Sequence, residues 1–338
     1  MYKISLITGD GIGQELSESI TDILHSINDK IGLKLEINIV EAGDGALKKT
    51  GKALPDSSLD TIRRSDVCLK APVGECAADV IVFLRRALDL YANIRPSKSY
   101  PGMTSLKENI DLVIVRENTE DLYTGMEFEM GNSAVALRTI SEYASKRIAK
   151  YACITAGQRN KQKKVTCVHK SNVMRKTDGL FARSCYQVAK NFPDIMFENM
   201  YVDACAMNLI RQPESFDVIV TTNLFGDILS DEAAQVVGGL GMAPAANIGD
   251  NFALFEPVHG AAFDIAGKQA ANPSSFILSA KMMFEWLGMK HDDAMSLLVA
   301  RKIEEAVYGV VSEGIKTKDI GGNKTTREFT QHIISKLI

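Results

Sequence analysis

The sequence predicts an α/β protein with two domains. Strand and helix patterns alternate from the start of the chain, through Lys3–Thr8, Gln14–Asn28 and Leu35–Glu41, and such alternation is typical of a sheet covered by helices. A chain of 338 residues is too long for one ordinary hydrophobic core, so we expect two domains. Its composition, with 46% hydrophobic and 24% charged residues, is that of a globular protein in water.

Charge, hydropathy and cysteine usage exclude several classes of protein. The net charge is −3 and no basic run is present, so we expect no nucleic-acid partner. The first ten residues are typical of a strand that enters a glycine turn, not of a signal peptide. No apolar stretch approaches the roughly 20 residues that a membrane helix needs. The six cysteines are scattered among mostly apolar neighbours, so we expect reduced core residues of a cytoplasmic protein.

The first strand and helix are joined by Gly9-Asp-Gly-Ile-Gly13, which is similar to a dinucleotide-binding fingerprint. The match is weak, because the last glycine of the fingerprint would fall on Gln14 and Glu41 is too far along for the ribose acid. A tight turn that needs positive φ explains the glycines at least as well.

The next strand, Asp66–Leu69, leads to a predicted helix at Ala77–Leu90. Helical spacing places Ile81, Val82 and Arg85 on one face of this helix. An arginine beside a small apolar patch can hold a carboxylate and a short alkyl group together. The alternative is an arginine that only extends along the surface.

Two further arginines follow at the ends of secondary-structure elements. Arg95 lies in a loop fixed by Pro96, and Arg116 ends the strand Asp111–Val115. A charged loop that carries Tyr123 comes next, and the carboxyl ends of strands are where α/β sheets tend to bind ligands. Three arginines together indicate an anion with more than one carboxylate, although each alone could form an ordinary salt bridge.

The middle of the chain contains a possible arm and a lysine at a strand end. Met130–Tyr143 is polar and prone to β-structure, so it could pair with another subunit. After the amphipathic helix Ala144–Ala156, a strand ends in His169-Lys170. Lys170 could be catalytic or could simply end the strand with a charge, and we expect a structural role for His169.

The most informative stretch follows the apolar strand Phe216–Val220. After a turn, a helix is predicted to open at Asp227, and Asp231 falls on the same face four residues later. Their like charges repel unless a cation lies between them. A third acid, Asp203, precedes them, and oxygen-only ligands suit Mg²⁺ or Mn²⁺. The alternative is a helix cap and a solvated side chain.

The last third contains a polar loop in an otherwise apolar region. A glycine-rich stretch at 236–249 is a candidate crossing between domains, and the loop runs from Leu254 to Pro273. His259 and Asn272 could contact an adenine, and Asp264 could accept hydrogen bonds from ribose hydroxyls. An ordinary polar loop is the alternative. The apolar helix Ser274–Leu287 that follows carries the only tryptophan, Trp286, which we place in the core.

Together these motifs resemble the β-decarboxylating dehydrogenases of the isocitrate/isopropylmalate dehydrogenase family, with the archaeal-type 3-isopropylmalate enzymes as the most similar. The specific motifs are Arg116-Glu-Asn-Thr-Glu, Asn223-Leu-Phe-Gly-Asp-Ile-Leu-Ser-Asp231 and Glu256-Pro-Val-His-Gly. The resemblance implies an isopropylmalate dehydrogenase-like, two-domain fold that is not a Rossmann fold. Residues 1–98 and 242–338 would form the large cofactor-binding domain. Residues 99–241 would form the small domain, with the arm and the interface of a homodimer that could pair into a tetramer.

The resemblance also implies a role for each candidate residue. The substrate, a small 2-hydroxy diacid, would be bound by Arg85, Arg95, Arg116, Ile81 and Val82. Tyr123 would protonate the carbon left by CO₂, and Lys170, helped by Asp203, would accept the hydroxyl proton. Mg²⁺ or Mn²⁺ would be bound by Asp227 and Asp231 of one subunit, with Asp203 and Lys170 supplied by its partner. NAD would be bound mainly through the 256–272 loop, by the set Ile12, Glu256, His259, Gly260, Asp264, Ile265, Asn272 and Asp319, which makes the early glycine turn irrelevant to the dinucleotide.

Within the family, charge favours NAD over NADP. NADP-using relatives tend to place a lysine and a tyrosine where this chain has Asp264-Ile265. A carboxylate there would repel a 2′-phosphate and accept hydrogen bonds from a free 2′-hydroxyl. Lys318 is the one residue that weakens this argument.

The substrate prediction is 3-isopropylmalate, in leucine biosynthesis. Isocitrate enzymes commonly have serine and asparagine at the positions of Asp79 and Ile81, and one type of homoisocitrate enzyme has an arginine near Val82. Isocitrate, homoisocitrate, tartrate and D-malate stay open as alternatives, as does the role of Asp79. A non-catalytic regulatory subunit is the alternative of a different class, but such subunits usually lose part of the acid–lysine–tyrosine set that is complete here.

Overall fold

The computed structural model describes residues 1–337. Ten of its twelve strands form one mixed sheet, and the other two form a separate hairpin. In chain order the strands are β1 (Tyr2–Ile7), β2 (Leu35–Val40), β3 (Val67–Lys70), β4 (Ala92–Lys98), β5 (Asp111–Glu117), β6 (Glu127–Met130), β7 (Ser133–Ala136), β8 (Lys164–His169), β9 (Met196–Tyr201), β10 (Val218–Thr221), β11 (Pro244–Ile248) and β12 (Ala253–Pro257). The sheet order is β2-β1-β3-β12-β11-β4-β5-β10-β8-β9, and β6 pairs only with β7. The predicted α/β class is confirmed.

Helices cover the sheet. They are α1 (Gly13–Lys30), α2 (Asp44–Thr50), α3 (Asp56–Arg64), α4 (Ala77–Ala87), α5 (Glu142–Arg159), α6 (Thr177–Ala189), α7 (Val202–Arg211), α8 (Asn223–Val237), α9 (Ser274–His291), α10 (Ala294–Ser312) and α11 (Thr326–Leu337). One hydrophobic cluster joins α1, α5, α9 and α10 to the sheet, so a single core extends through both sequence segments to which we assign domains. The division into domains stays a prediction.

The direction of the strands changes in the middle of the sheet. The pairs β12–β11, β11–β4 and β4–β5 are antiparallel, whereas the strands on either side of this group are parallel. A Rossmann sheet is mostly parallel with a different strand order. The central antiparallel strands carry Arg95 and Arg116, so this arrangement also determines where the anion-binding side chains meet.

The early glycine turn has a backbone role. Gly9 and Gly11 have φ of +66° and +57°, and a Cβ atom on Gly9 would lie 1.9 Å from the carbonyl oxygen of Pro72. The predicted tight turn with positive φ is therefore confirmed. The six cysteines are all free and buried, as expected of core residues.

Three predictions from the pattern need correction. Helix α8 begins at Asn223, four residues before the predicted opening at Asp227, so Asp227 lies in its second turn. Trp286 lies at the edge of the core against Phe255 and is only partly buried, because the inner face of α9 is already filled by smaller apolar residues. The β-prone stretch predicted at Met130–Tyr143 only partly matches the exposed hairpin β6–β7, which spans Glu127–Ala136, and α5 already begins at Glu142. Within residues 1–337, no helix is long and apolar enough to cross a membrane.

Candidate active site

The three predicted anion-binding arginines converge from three different elements. Arg85 lies on α4, Arg95 on β4 and Arg116 at the end of β5, and all three side chains are buried. Burial, together with repulsion from Arg95 and Arg85, lowers the pKa of Arg116 to about 9. Three buried guanidinium groups are costly unless they are paired, and the protein's own carboxylates pair them only in part, because one nitrogen of Arg116 has no partner among the described residues. The cluster is therefore suited to bind an anion.

Arg116 has partners for two of its three guanidinium nitrogens and stacks on an aromatic ring. Its Nε donates to Asn223 Oδ1 at 2.9 Å, its Nη1 pairs with Asp227, and its guanidinium stacks 4.9 Å from the ring centre of Tyr123. Its Nη2 is buried and has no hydrogen-bond partner among the described residues. A buried donor without a partner is rare in proteins and marks the place where a ligand oxygen fits.

Asp227 and Asp231 lie side by side on α8, as their spacing predicts, and both contact Arg95. The distances are 3.3 Å from Arg95 Nη2 to Asp227 Oδ1 and 3.2 Å from Nη1 to Asp231 Oδ1. Burial alone would raise the pKa of Asp227, but Arg116 and Arg95 outweigh burial and lower it. The pKa of Asp231 is raised, mainly by burial and further by the charge of Asp227. Two adjacent carboxylates that are only partly compensated provide the hard oxygen ligands that Mg²⁺ and Mn²⁺ prefer.

Tyr123 is directed into the same cluster. It lies in a short 3-10 turn at Leu122–Thr124, and its hydroxyl donates to Asp227 Oδ2 at 2.5 Å. Burial raises the pKa of Tyr123, and the hydrogen bond to Asp227 also raises it, against the lowering effect of Arg116. The hydroxyl therefore keeps its proton at neutral pH and is available as an acid.

Lys170 and Asp203 form a separate pair. Lys170 follows the last residue of β8, and its Nζ donates to Asp203 Oδ1, in the first turn of α7, at 2.6 Å. This hydrogen bond lowers the pKa of the exposed Asp203. In residues 1–337, no three His, Cys, Asp or Glu side chains lie together in a group that could hold a metal. Asp203 therefore does not join Asp227 and Asp231 within one chain.

The apolar residues predicted beside the substrate lie on α4, one turn before Arg85. Ile81 and Val82 are half-buried, and Ile81 also packs against the core beneath the helix. Asp79 is exposed. This part of the helix therefore presents an apolar surface next to a buried arginine.

Glu256, another of the predicted cofactor residues, is buried near the end of β12. It pairs with Lys70 at 2.8 Å and with Arg85 at 3.2 Å. Burial would raise the pKa of Glu256, but Lys70 and Arg85 bring it down to about 2. In this structure Glu256 supports the arginine cluster. The parallel pairing of β12 with β3 places Glu256 beside Lys70.

Six of the eight predicted cofactor residues line one cavity of about 420 Å³: Ile12, His259, Gly260, Ile265, Asn272 and Asp319. Asn272 Nδ2 donates to Asp319 Oδ2 at 3.0 Å, which fixes two polar groups at the wall. Burial lowers the pKa of His259, so its ring is neutral. Asp264 is exposed and directly precedes Ile265 of the cavity wall. A mostly apolar cavity of this size with a few fixed polar groups suits a nucleoside.

Sequence reasoning missed the residues that hold the arginines in place. They are Lys70, Asn93, Asn118, Asn223, Ser230 and Asn247. Asn223 stands inside a motif that the sequence already marked, so its position was a usable signal. Asn118 and Ser230 also stand inside such motifs, just after β5 and on α8. Lys70, Asn93 and Asn247 lie in short strands, where no local pattern distinguishes them.

Comparison with known proteins identifies relatives over the whole chain. A family model described as isocitrate/isopropylmalate dehydrogenase matches residues 3–333. The 3-isopropylmalate dehydrogenase of Sulfurisphaera tokodaii is 52% identical over 338 residues, 99% of each chain. That of Archaeoglobus fulgidus is 51% identical over 337 residues, 100% of each chain. A crystal structure of isocitrate dehydrogenase from Methylococcus capsulatus has a TM-score of 0.93 at 41% identity, covering 100% of this chain and 99% of that one.

Proposed function

This chain belongs to the isocitrate/isopropylmalate dehydrogenase family, and from that membership we propose that it oxidises and decarboxylates 3-isopropylmalate to 4-methyl-2-oxopentanoate. The proposed cofactors are NAD and a divalent metal ion, Mg²⁺ or Mn²⁺. The observation that carries the proposal is the buried cluster of Arg85, Arg95 and Arg116, in which Arg116 Nη2 has no partner among the described residues.

The three arginines would bind and orient the two carboxylates of the substrate. Guanidinium groups grip carboxylates in a bidentate, planar geometry, which fixes the substrate as well as neutralising it. Ile81 and Val82, one turn before Arg85, would contact the isopropyl group. The apolar surface favours an alkyl substituent over the third carboxylate of isocitrate, because an unpaired charge beside it would be poorly solvated.

The cofactor groups fit the residues that are present. Asp227 and Asp231 would hold the metal ion, and the cavity between Ile12 and Asp319 would hold the adenosine part of NAD. When bound, the metal ion supplies a Lewis acid near the hydroxyl oxygen of the substrate, and NAD⁺ supplies the acceptor for the hydride. The exposed Asp264 beside the cavity supports NAD over NADP, because a carboxylate repels a 2′-phosphate.

Two side chains would move the protons. Lys170 would accept the proton of the C2 hydroxyl as the hydride leaves, and its hydrogen bond to Asp203 holds the amine in place. Tyr123 would then donate its proton to the carbon that has lost CO₂. Its raised pKa supports this assignment, because the hydroxyl is fully protonated at neutral pH.

We also propose that the active form is a homodimer that shares its metal site. The carboxylates of Asp227 and Asp231 do not meet that of Asp203 in one chain, as the lack of a three-ligand group among residues 1–337 indicates. Lys170 and Asp203 would therefore come from a second copy. The exposed hairpin β6–β7, with Phe128 about half exposed, supports a role as an arm that pairs with another subunit.

A second candidate substrate is isocitrate, because a solved isocitrate dehydrogenase has nearly the same fold at 41% identity. The test is an assay of the purified protein with Mn²⁺ and NAD⁺, following NADH at 340 nm. Each arm contains one acid: 3-isopropylmalate, isocitrate, homoisocitrate, tartrate or D-malate. We expect the highest kcat/KM with 3-isopropylmalate. A preference for isocitrate would refute the substrate proposal, a preference for NADP⁺ would refute the cofactor proposal, and no turnover with any acid would favour the regulatory-subunit alternative.

A further inference from the structure

A row of buried polar side chains crosses four neighbouring strands beneath the arginines. This polar row consists of Lys70 on β3, Glu256 on β12, Asn247 on β11 and Asn93 on β4, each at most 6% exposed. Consecutive members are joined by hydrogen bonds, from Lys70 to Glu256, from Asn247 to Glu256 and from Asn93 to Asn247. Buried polar groups in the middle of a sheet are costly unless every member is paired, so a continuous row needs a specific reason.

Asn247 is the centre of the row. Its Oδ1 accepts three hydrogen bonds, from Arg85 Nε at 2.9 Å, Asn93 Nδ2 at 2.7 Å and Asn118 Nδ2 at 2.9 Å. Its Nδ2 donates to Glu256 Oε1 at 2.8 Å. Three donors on one side require an oxygen, and a carboxylate on the other side requires a donor. Among side chains of this length only asparagine satisfies both sides at neutral pH.

The row connects two of the three anion-binding arginines. Asn247 holds Arg85 directly, and it holds Asn93, whose Oδ1 accepts from Arg95 Nε at 2.9 Å. In both arginines the Nε–H is used for these bonds, which leaves the outer nitrogens for other partners, among them Glu256 for Arg85 and the two aspartates of α8 for Arg95. A free arginine side chain loses rotamer entropy when it is immobilised by a ligand. A guanidinium that is fixed beforehand loses less.

We propose that Asn247 is a positioning residue that holds the side chains of Arg85 and Arg95 in the relative positions that the two carboxylates of the substrate require. This inference rests on the proposed function, since it assumes that the arginines bind a dicarboxylate. It adds a residue on β11 that touches neither the substrate nor the cofactor cavity.

The first test is Asn247→Leu, which removes both the acceptor and the donor. A misplacement of about 1 Å in a binding group can cost about 100-fold, so we expect kcat/KM for the diacid to fall about 100-fold. The KM for NAD⁺ should stay within about twofold, because no member of the polar row lines the cavity between Ile12 and Asp319. The matched control is Ser279→Ala. Ser279 is fully buried and bonds to the backbone carbonyl of Glu256, but it contacts no arginine. Its kinetics should match those of the parent.

The second test is Asn247→Asp, which keeps the three acceptor bonds and places a carboxyl group against Glu256. The charged groups that face position 247 are Arg85 from α4 and Glu256 from β12. Lys70 lies behind Glu256, and Arg95 lies behind Asn93. Two adjacent carboxylates retain one shared proton more strongly than either alone. That proton restores the donor to Glu256, so kcat/KM of the variant relative to the parent should fall as pH rises.

Four outcomes would overturn the inference. The first is parent-like kinetics in a folded Asn247→Leu variant, and the second is a rise in its KM for NAD⁺ as large as its fall in kcat/KM for the diacid. The third is an equally large fall in kcat/KM in Ser279→Ala. The fourth is a ratio of Asn247→Asp to parent kcat/KM that does not change with pH. Circular dichroism and the thermal midpoint establish folding, and where Asn247→Leu does not fold, the pH profile of Asn247→Asp decides. Turnover of a diacid other than 3-isopropylmalate would overturn only the substrate proposal, and the same variants are then measured with that acid. A parent protein that neither turns over nor binds any of the five acids, by calorimetry, would overturn both.

Discussion

The substitution Arg116→Met tests separately how much a buried positive charge contributes to substrate binding and how much it contributes to folding stability. Arg116 is 1% exposed, and its Nη2 has no partner among residues 1–337. A hydrogen bond between charged groups contributes about 1.5–3 kcal/mol, so losing the bond to a substrate carboxylate raises KM about 10- to 150-fold. Loss of the positive charge beside the reacting centre adds to this effect. We therefore expect kcat/KM to fall at least about 100-fold.

The same substitution should change folding stability little. Burial, Arg95 and Arg85 lower the pKa of Arg116 to about 9, which means that the folded protein disfavours its charged form. Removing the charge relieves this cost and offsets the lost bonds to Asn223 and Asp227. Asp227 also keeps its contacts with Arg95 and Tyr123. We expect the free energy of unfolding to change by less than about 2 kcal/mol, which is below the typical 3–5 kcal/mol for breaking a buried ion pair.

The measurements are steady-state kinetics with 3-isopropylmalate and urea unfolding at one fixed protein concentration, because association contributes to apparent stability. Arg86→Met is the matched control, since Arg86 is the exposed neighbour of Arg85 on α4. It should leave both quantities unchanged. Near-parental kcat/KM in Arg116→Met, or a loss of stability above about 4 kcal/mol, would contradict the assignment of Arg116 to an anion site.

Three other substitutions test separate parts of the site. Tyr123→Phe removes the proposed proton donor, so kcat should fall about 100- to 10,000-fold with little change in the KM for NAD⁺, and an unchanged kcat would exclude Tyr123 as the acid. Gly226→Ala places a methyl group 2.5 Å from Arg116 Cγ, so it should displace that side chain and raise the KM for the diacid at least tenfold. An unchanged KM would show that Arg116 does not bind the substrate. Asp264→Lys combined with Ile265→Tyr should raise kcat/KM with NADP⁺ relative to NAD⁺ at least tenfold, and a constant ratio would show that Asp264 does not face the 2′ position.

Local sequence patterns predicted the positions of several elements well, whereas the roles of the site residues came from the family resemblance. The predicted helix at Ala77–Leu90 corresponds to α4, at Ala77–Ala87, because its apolar spacing is regular and its sequence contains no glycine or proline. The cavity residues from His259 to Asn272 are close in the chain, and the loop keeps them together. The helix and the loop both depend on residues that are close together in the chain, so local sequence patterns are enough to predict them.

The features that could not be predicted depend on strand register. Asn93 and Asn247 are 154 residues apart and become Cα partners only because β11 inserts between β12 and β4. In the same way, the parallel pairing of β12 with β3 brings Glu256 beside Lys70, which is 186 residues away in the chain. One residue of register shift would move each side chain to the opposite face of the sheet. No local pattern specifies that pairing.

The central claim is that each active site takes Asp227 from one chain and Lys170 from another. Lys170→Met and Asp227→Asn should each be nearly inactive alone. When the two variants are co-expressed and assemble at random, half of the dimers contain one chain of each kind, and each such dimer has one intact site. The account predicts recovery of about a quarter of the parental activity in the mixture. A mixture no more active than its separate components would contradict it.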